Sequence, residues 1–168
     1  CTFTKTYVPD DNFEIWLEAN GYGDGDVQND SVITVNLQSI TQLFLHGQNI
    51  SDFTGIEDIV DVSYIDFSHN NATSIDLSNN HNLWYVQLSS NNSLSQVILP
   101  DSNWYQYEFK IYLNDCNIST IHLPNHLNYE DLSLSGNPLV SFDLTYSSSL
   151  QELSLSNTNL TSLDLSNF

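Results

Sequence analysis

Lysine and arginine are almost absent from this chain: Lys5 and Lys110 stand against 21 acidic residues in a length of 168, for a formal net charge of −19. That imbalance excludes a nucleic-acid partner, because affinity for a phosphate backbone rests on cations that neutralise it, and it disfavours anionic membrane surfaces for the same reason. Cations, neutral glycans and basic protein surfaces remain as partners, and the charge also keeps an extracellular protein soluble. No apolar run reaches 18 residues, so no segment is built to cross a bilayer as a helix. Cysteine is scarce too. Cys1 and Cys116 cannot supply the disulfide framework of a small secreted domain, and at 40% apolar content the chain forms a core without one. Also missing are the GxSxG, HExxH, CxxC and phosphate-loop patterns, and His46, His69, His81, His122 and His126 share no metal-ligand spacing. Binding rather than catalysis is therefore the expected role, and no enzymatic activity is expected.

What is present is a period. Apolar pairs one residue apart recur as Leu43/Leu45, Ile65/Phe67, Val86/Leu88, Ile111/Leu113, Leu132/Leu134 and Leu153/Leu155, at steps of 22, 21, 25, 21 and 21 residues. A second series follows each of the later pairs by ten or eleven residues: Ile75/Leu77, Val97/Leu99, Ile121/Leu123, Phe142/Leu144 and Leu163/Leu165. Alternation within a pair predicts strand, since residues two apart share a face. A repeat of about 21 residues leaves no room for a strand plus a full helix and its loops. Each coil is thus expected to be two short strands joined by tight turns. Three residues after each first-series pair stands Gln48, Asn70, Asn91, Cys116, Asn137 or Thr158. Where the backbone turns inward its amide groups need partners, and a stacked asparagine ladder supplies both donor and acceptor; Cys116 fits that column as a small, weakly polar buried residue.

Stretches such as "LSLSGNPLVSFDLTYSSS" and "LSLSNTNLTSLDLSN" resemble the 21-residue bacterial class of leucine-rich repeats, over roughly residues 40–168. The opening "YVPDDNFEIWLEANGYGD" followed by "NISDFTGIEDI" is similar to the start of secreted leucine-rich-repeat proteins of Bacteroidetes-type bacteria. The resemblance implies a right-handed, β-rich leucine-rich-repeat solenoid with two parallel sheets and a short N-terminal capping helix. It also implies export, to the medium or to the outer-membrane surface of a Gram-negative bacterium. Residues 1–39 are expected to form the N-terminal segment with the capping helix and a first strand, and 40–168 a solenoid of about six repeats. Asp10 or Asp11 is the expected N-cap, Phe13, Trp16 and Leu17 the buried face, and Gly21 the stop. Phe53, Ile56 and Ile59 predict one helical turn in the next arc. The 25-residue step holds the insertion "DSNWYQYEF", with Trp104, Tyr105 and Tyr107. Leu163, Leu165 and Phe168 stop in mid-pattern, so the solenoid is expected to continue or to meet another domain. Cys1 resembles the lipid-modified first residue of a mature bacterial lipoprotein, which would tether the chain to a membrane; a cleaved ordinary signal peptide or a cropped chain gives the same first residue.

Stacked coils line up equivalent positions about 4.8 Å apart. One outward column then reads Gln42, Tyr64, Tyr85, Lys110, Asp131, Glu152 and the next Phe44, Asp66, Gln87, Tyr112, Ser133, Ser154. Phe44, Tyr64, Tyr85 and Tyr112, flanked by Asp66, Gln87 and Lys110, are the expected ligand-binding residues, for a protein or a polysaccharide, because they combine flat apolar surface with hydrogen-bonding groups. Cross-strand stacking that merely stabilises the sheet is the alternative. Ser68, Ser89, Ser135 and Ser156 form a hydroxyl row beside them. Asp76, Asp143 and Asp164 recur with the second pair series and are surface features of the second sheet, not a catalytic set. In "GDGDVQND", Asp24, Asp26 and Asp30 resemble the first half of a calcium loop without its closing glutamate, so calcium is the one cofactor expectation and a polar loop the competing one. The expected function is a non-catalytic recognition module acting through the outward face of the first sheet. The alternative is a structural or accessory lipoprotein subunit of a larger outer-membrane assembly.

Overall fold

The computed structural model describes residues 3–27, 29–102, 108–125, 127–144 and 149–164; Cys1, Trp104, Tyr105, Tyr107, His126, Leu165 and Phe168 lie outside them. In chain order the elements are β1 (Lys5–Tyr7), α1 (Asp11–Ala19), β2 (Ser31–Ile33), α2 (Thr34–Leu37), β3 (Gln42–Phe44), a 3-10 turn (Ile56–Asp58), β4 (Tyr64–Asp66), β5 (Ser74–Asp76), β6 (Tyr85–Gln87), β7 (Gln96–Ile98), β8 (Glu108–Tyr112), β9 (Asn128–Ser133) and β10 (Glu152–Ser154). Strands β3, β4, β6, β8, β9 and β10 pair side by side, all parallel, in one six-stranded sheet. The result is a β-solenoid with parallel sheets.

The apolar pairs drive it. Leu43, Leu45, Ile65, Phe67, Val86, Leu88, Ile111, Leu113, Leu132 and Leu134 are all buried in one continuous core that also takes in Val8, Phe13 and Leu17 of the N-terminal segment. Backbone rungs pass from coil to coil at the strand ends, as in Leu45 N to Asp66 O (2.7 Å), Phe67 N to Gln87 O (2.8 Å), Leu88 N to Tyr112 O (2.9 Å) and Leu113 N to Ser133 O (2.8 Å). The second series behaves differently. Among the described residues only β5 and β7 pair, in a two-stranded parallel sheet, and Ile121, Leu123 and Phe142 pack against the core from outside any strand. Among the described residues the second sheet is therefore shorter than the repeat of apolar pairs implies.

The ladder is occupied at Asn70, Asn91 and Asn137, all buried. Each joins its own coil to the one before. Asn91 Nδ2 donates to Phe67 O (3.0 Å) and Leu88 O (2.7 Å) while its Oδ1 accepts from Ala72 N (3.1 Å). Asn70 repeats the pattern with Leu45 O, Phe67 O and Ile50 N, and Asn137 with Leu113 O, Leu134 O and Ile118 N. Cys116 holds the intervening rung, its Sγ 3.5 Å from Leu88 O, and burial pushes its thiol up to about 11. Gln48, by contrast, is exposed, and the hydroxyl of half-buried Thr158 bonds Leu155 O of its own coil. Just before the ladder, Gly47, His69, Ser90, Asp115, Gly136 and Asn157 all take left-handed backbone, φ +52 to +74°. This is the inward bend of every coil, made by glycine at only two places. At Gly136 a Cβ would also lie 2.2 Å from Asp115 Oδ1.

The N-terminal segment closes the first coil. Strands β1 and β2 pair antiparallel, and α1 lays Phe13 edge-on to Phe53 (5.9 Å), which stacks on Phe67 (4.2 Å). Asp10 is the N-cap: Oδ1 accepts from Asn12 N and Phe13 N, and Oδ2 from Ser51 N, Ser51 Oγ and Asp52 N. One carboxylate thus ties the helix to the first arc of the solenoid. Burial alone would raise its pKa, but the hydrogen bonds from Ser51, Phe13 and Asp52 outweigh that and hold it below the usual carboxylate value.

Truncating Asn91 to alanine strips Ala72 N–H of its partner inside the core and is expected to destabilise by about 2–4 kcal/mol in urea unfolding; Gln48→Ala, at the exposed end of the same column, is expected to stay within about 0.5 kcal/mol. Asp10→Asn keeps one accepting oxygen for the start of α1 but turns an amide NH2 toward Ser51 N and Asp52 N, so it removes the charge together with the bonds that Oδ2 accepts. Because the folded pKa of Asp10 lies below the unfolded value of about 3.9, the native chain should exceed this variant in stability by about 1–2 kcal/mol above pH 5, and the two should converge as pH falls below about 4. Parallel unfolding curves at pH 7 and pH 3 check the sign.

Candidate ligand-binding surface

Strand register sets the two outward columns. Gln42, Tyr64, Tyr85, Lys110, Asp131 and Glu152 stand opposite one another in turn, and Phe44, Asp66, Gln87, Tyr112, Ser133 and Ser154 do the same. Four aromatic rings run diagonally across them. Tyr64 and Tyr85 stack face to face, 4.2 Å apart and 4° from parallel; Phe44 meets Tyr64 at 5.2 Å and Tyr112 meets Tyr85 at 5.4 Å, both tilted. Phe44 is 55% exposed and the three tyrosines are half-buried. Burial, then the Tyr64 hydroxyl beside it, pushes the Tyr85 phenol up to about 12.

The polar residues expected beside these rings are engaged within the protein. Asp66 Oδ1 accepts from Ser68 N and from Ser68 Oγ, and Gln87 Oε1 accepts from Ser89 N (3.0 Å), so both side chains fold back onto the bend that ends their own strands. Lys110 Nζ lies 2.8 Å from Glu130 Oε2 and 3.1 Å from Asp131 Oδ2, bonds that raise its pKa above the ordinary lysine value. Tyr112 OH donates to the same Asp131 oxygen at 2.7 Å; burial first, and then this bond, raise its pKa. The row of serines is likewise committed. Ser89 Oγ accepts from Asn114 N, Asn114 Oδ1 accepts from Ser133 Oγ and Ser135 N, and Ser135 Oγ accepts from Ser156 N. This network stitches coil to coil along the strand-end edge.

The strand-start edge is open. A cleft of about 680 Å³ runs along it, lined by Trp84, Asp61, Asn82, Glu108, Thr41 and Ser63 and by the paired Lys110 and Glu130. Trp84 meets Tyr64 and Tyr85 edge-on at 5.9 and 5.8 Å, so the cleft continues the aromatic diagonal. Backbone groups of the lining residues are paired across coils, Ser63 N to Thr41 O (2.8 Å), Trp84 N to Ser63 O (3.0 Å) and Lys110 N to Trp84 O (2.8 Å). Among the described residues the Glu108 carboxylate has no hydrogen-bond or ion-pair partner, and the Asp61 carboxylate has only a long contact from Asn82 Nδ2 (3.4 Å). Sequence reasoning passed over Trp84, Asp61 and Glu108. The available signal was an aromatic directly before Tyr85 in "NLWYVQL", and the insertion whose described end is Glu108.

The other expected sites fare differently. Cys1 and the insertion aromatics lie outside the described residues. Asp24, Asp26 and Asp30 do not gather around one point: Asp24 binds Lys5 Nζ (2.6 Å) and accepts from Asn29 Nδ2 (3.1 Å), and Lys5 lowers its pKa. The glycines of this loop serve the opposite charge. Asp24 N and Gly25 N both donate to Glu18 Oε1 (2.6 and 3.1 Å), and at Gly23 a Cβ would overlap the Glu18 carboxyl. Backbone N–H groups point into the loop, where a calcium loop needs oxygens. Asp30 is drawn instead toward Asp11 and Glu14.

No protein-family model matches the sequence, and no curated protein matches it. Solved structures do. The functional domain of InlJ from Listeria monocytogenes, which includes a cysteine ladder, superposes with a TM-score of 0.70 at 21% identity, covering 99% of this chain and 37% of that one. An internalin, InlF, from the same organism superposes with a TM-score of 0.70 at 22% identity, covering 96% of this chain and 46% of that one. This chain therefore spans less than half the length of either. At such identities the likeness shows the architecture, and the architecture is that of a leucine-rich-repeat solenoid.

Proposed function

We propose that the chain is a non-catalytic recognition module that acts outside the cell and binds a basic segment of a partner protein across the strand-start edge of the six-stranded sheet. The observation that carries this reading is the continuity of Phe44, Tyr64, Tyr85 and Tyr112 with the Trp84 cleft. Five aromatic rings share one outward surface, and flat, stacked, half-exposed rings are what interfaces use as anchors. Charge selects the occupant. Both lysines are already paired with carboxylates, whereas Asp61 and Glu108 meet no cation among the described residues. A lysine or arginine side chain entering the cleft meets the Trp84 indole and the Asp61 and Glu108 carboxylates, groups that attract such cations. The net charge of −19 steers basic partners from a distance.

A random-peptide display library selected on the immobilised chain tests this. Enriched peptides should carry lysine or arginine next to an apolar residue and should weaken as salt is raised. Tyr64→Ala/Tyr85→Ala and Trp84→Ala are each expected to weaken them at least about 30-fold, in line with the loss of about 2 kcal/mol or more at an interface anchor, while circular dichroism stays unchanged. Asp61→Asn/Glu108→Gln should lower affinity and flatten the salt dependence together. Peptides held equally by the aromatic variants would mean that the stacked tyrosines only brace the sheet. A neutral glycan bound on an array through the same tyrosines, with no peptide enriched, would replace the protein ligand by a polysaccharide.

A further inference from the structure

We propose that the N-terminal segment holds a calcium ion between Asp11, Glu14 and Asp30. Asp11 and Glu14 sit three residues apart on the first turn of α1, and Asp30 directly precedes β2. The Asp30 backbone is fixed there: its carbonyl accepts from Val8 N at 2.9 Å and its φ is +55°. One oxygen from each carboxylate lies within 4.8 Å of the other two. Calcium binds oxygen at about 2.4 Å, so two oxygens on the same ion stand at most about 5 Å apart. The spacing is therefore that of three groups able to share one ion.

A second observation is independent of that clustering. Glu14 is fully buried; its Oε1 accepts from Ser31 N at 3.0 Å, but its Oε2, also buried, meets no donor. A buried carboxylate oxygen left without a partner is costly, and such atoms in native proteins are met by an ion or by water. The neighbouring groups offer no relief, since Asp11 and Asp30 are acceptors too and Lys5 is engaged by Asp24. Asp11 and Asp30 are exposed and make no side-chain hydrogen bond or ion pair among the described residues. One buried and two solvent-facing carboxylates thus give a site sealed on the protein side and open to water on the other.

Donor chemistry selects the ion. An all-oxygen set without nitrogen or sulfur suits a hard cation, and irregular geometry completed by water suits calcium better than magnesium, which demands a near-ideal octahedron and dehydrates reluctantly. The partial positive charge at the start of α1 opposes a cation, but at about half an elementary charge it is outweighed by three carboxylates. Bound calcium would fasten the first turn of α1 to the start of β2, and through it to β1, adding an electrostatic tie to a segment held to the coils by Phe13 and Asp10.

Titration of the EDTA-treated 168-residue chain with CaCl2, followed by calorimetry and by thermal unfolding, tests the site. The expectation is one ion bound with a dissociation constant of about 0.1–1 mM, as in open extracellular sites. At 10 mM CaCl2 the melting temperature should rise by roughly 3–10 °C over NaCl of equal ionic strength, and MgCl2 should give a smaller shift. Asp11→Asn and Asp30→Asn, both exposed, should each weaken binding and together abolish it, whereas Asp24→Asn should leave the stoichiometry unchanged. A shift matched by NaCl would reduce the effect to screening of a highly acidic chain. Binding that survives the Asp11/Asp30 double variant, or vanishes in Asp24→Asn, would move the ion elsewhere and overturn the assignment.

Discussion

The pairing of backbone amides at the inward bend of each coil is the interaction on which the structure depends. A solenoid coil has no neighbours except the coils on either side, so an N–H or C=O turned into the core is satisfied within its own coil or by the coil beside it. Asn70, Asn91 and Asn137 each reach back one coil to do this, and the left-handed residue just before them aims the chain at that position. With the bend fixed, the rungs that follow each strand fall into a constant register. Register in turn places side chains more than 20 residues apart face to face. Tyr64 stacks on Tyr85 because both occupy the same position of adjacent coils.

The same geometry divides the outward surface in two. Along the strand-end edge, side chains are consumed by the fold: Asp66, Gln87, Ser89, Asn114 and Ser135 all bond backbone or one another. Short polar side chains suit this work because they reach the backbone two residues on, or the adjacent coil, with little rotamer entropy to lose. At the strand-start edge the backbone satisfies itself, leaving Trp84, Asp61 and Glu108 to face solvent. An acidic chain with both lysines internally paired therefore presents an aromatic surface beside carboxylates that meet no cation among the described residues.

In the N-terminal segment one residue type has opposite uses. Glu18 is wrapped by backbone N–H groups of the glycine-rich loop, and Asp10 accepts from the helix and from the first arc at once. These carboxylates are each met by more than one backbone N–H. Glu14 is buried among groups that cannot all serve it. Composition does not distinguish these cases, since the difference lies in which backbone amides happen to point at each carboxylate.

From the sequence alone, the period and the i, i+2 alternation determined the solenoid, the buried pairs, the asparagine ladder at Asn70, Asn91 and Asn137, the capping helix and the membership of the outward columns. Those features are legible because they follow from spacing along one dimension, which a repeat makes explicit. The tertiary structure alone decided that Asp66, Gln87 and Lys110 are engaged by their neighbours, that the left-handed column runs through His69 and Ser90, and that among the described residues the second sheet has two strands. It also decided that Trp84 lines a cleft and that Asp30 turns to Asp11 and Glu14 instead of Asp24. Each of these depends on distances of a few ångströms between residues far apart in the chain, and such distances exist only once the coils have stacked.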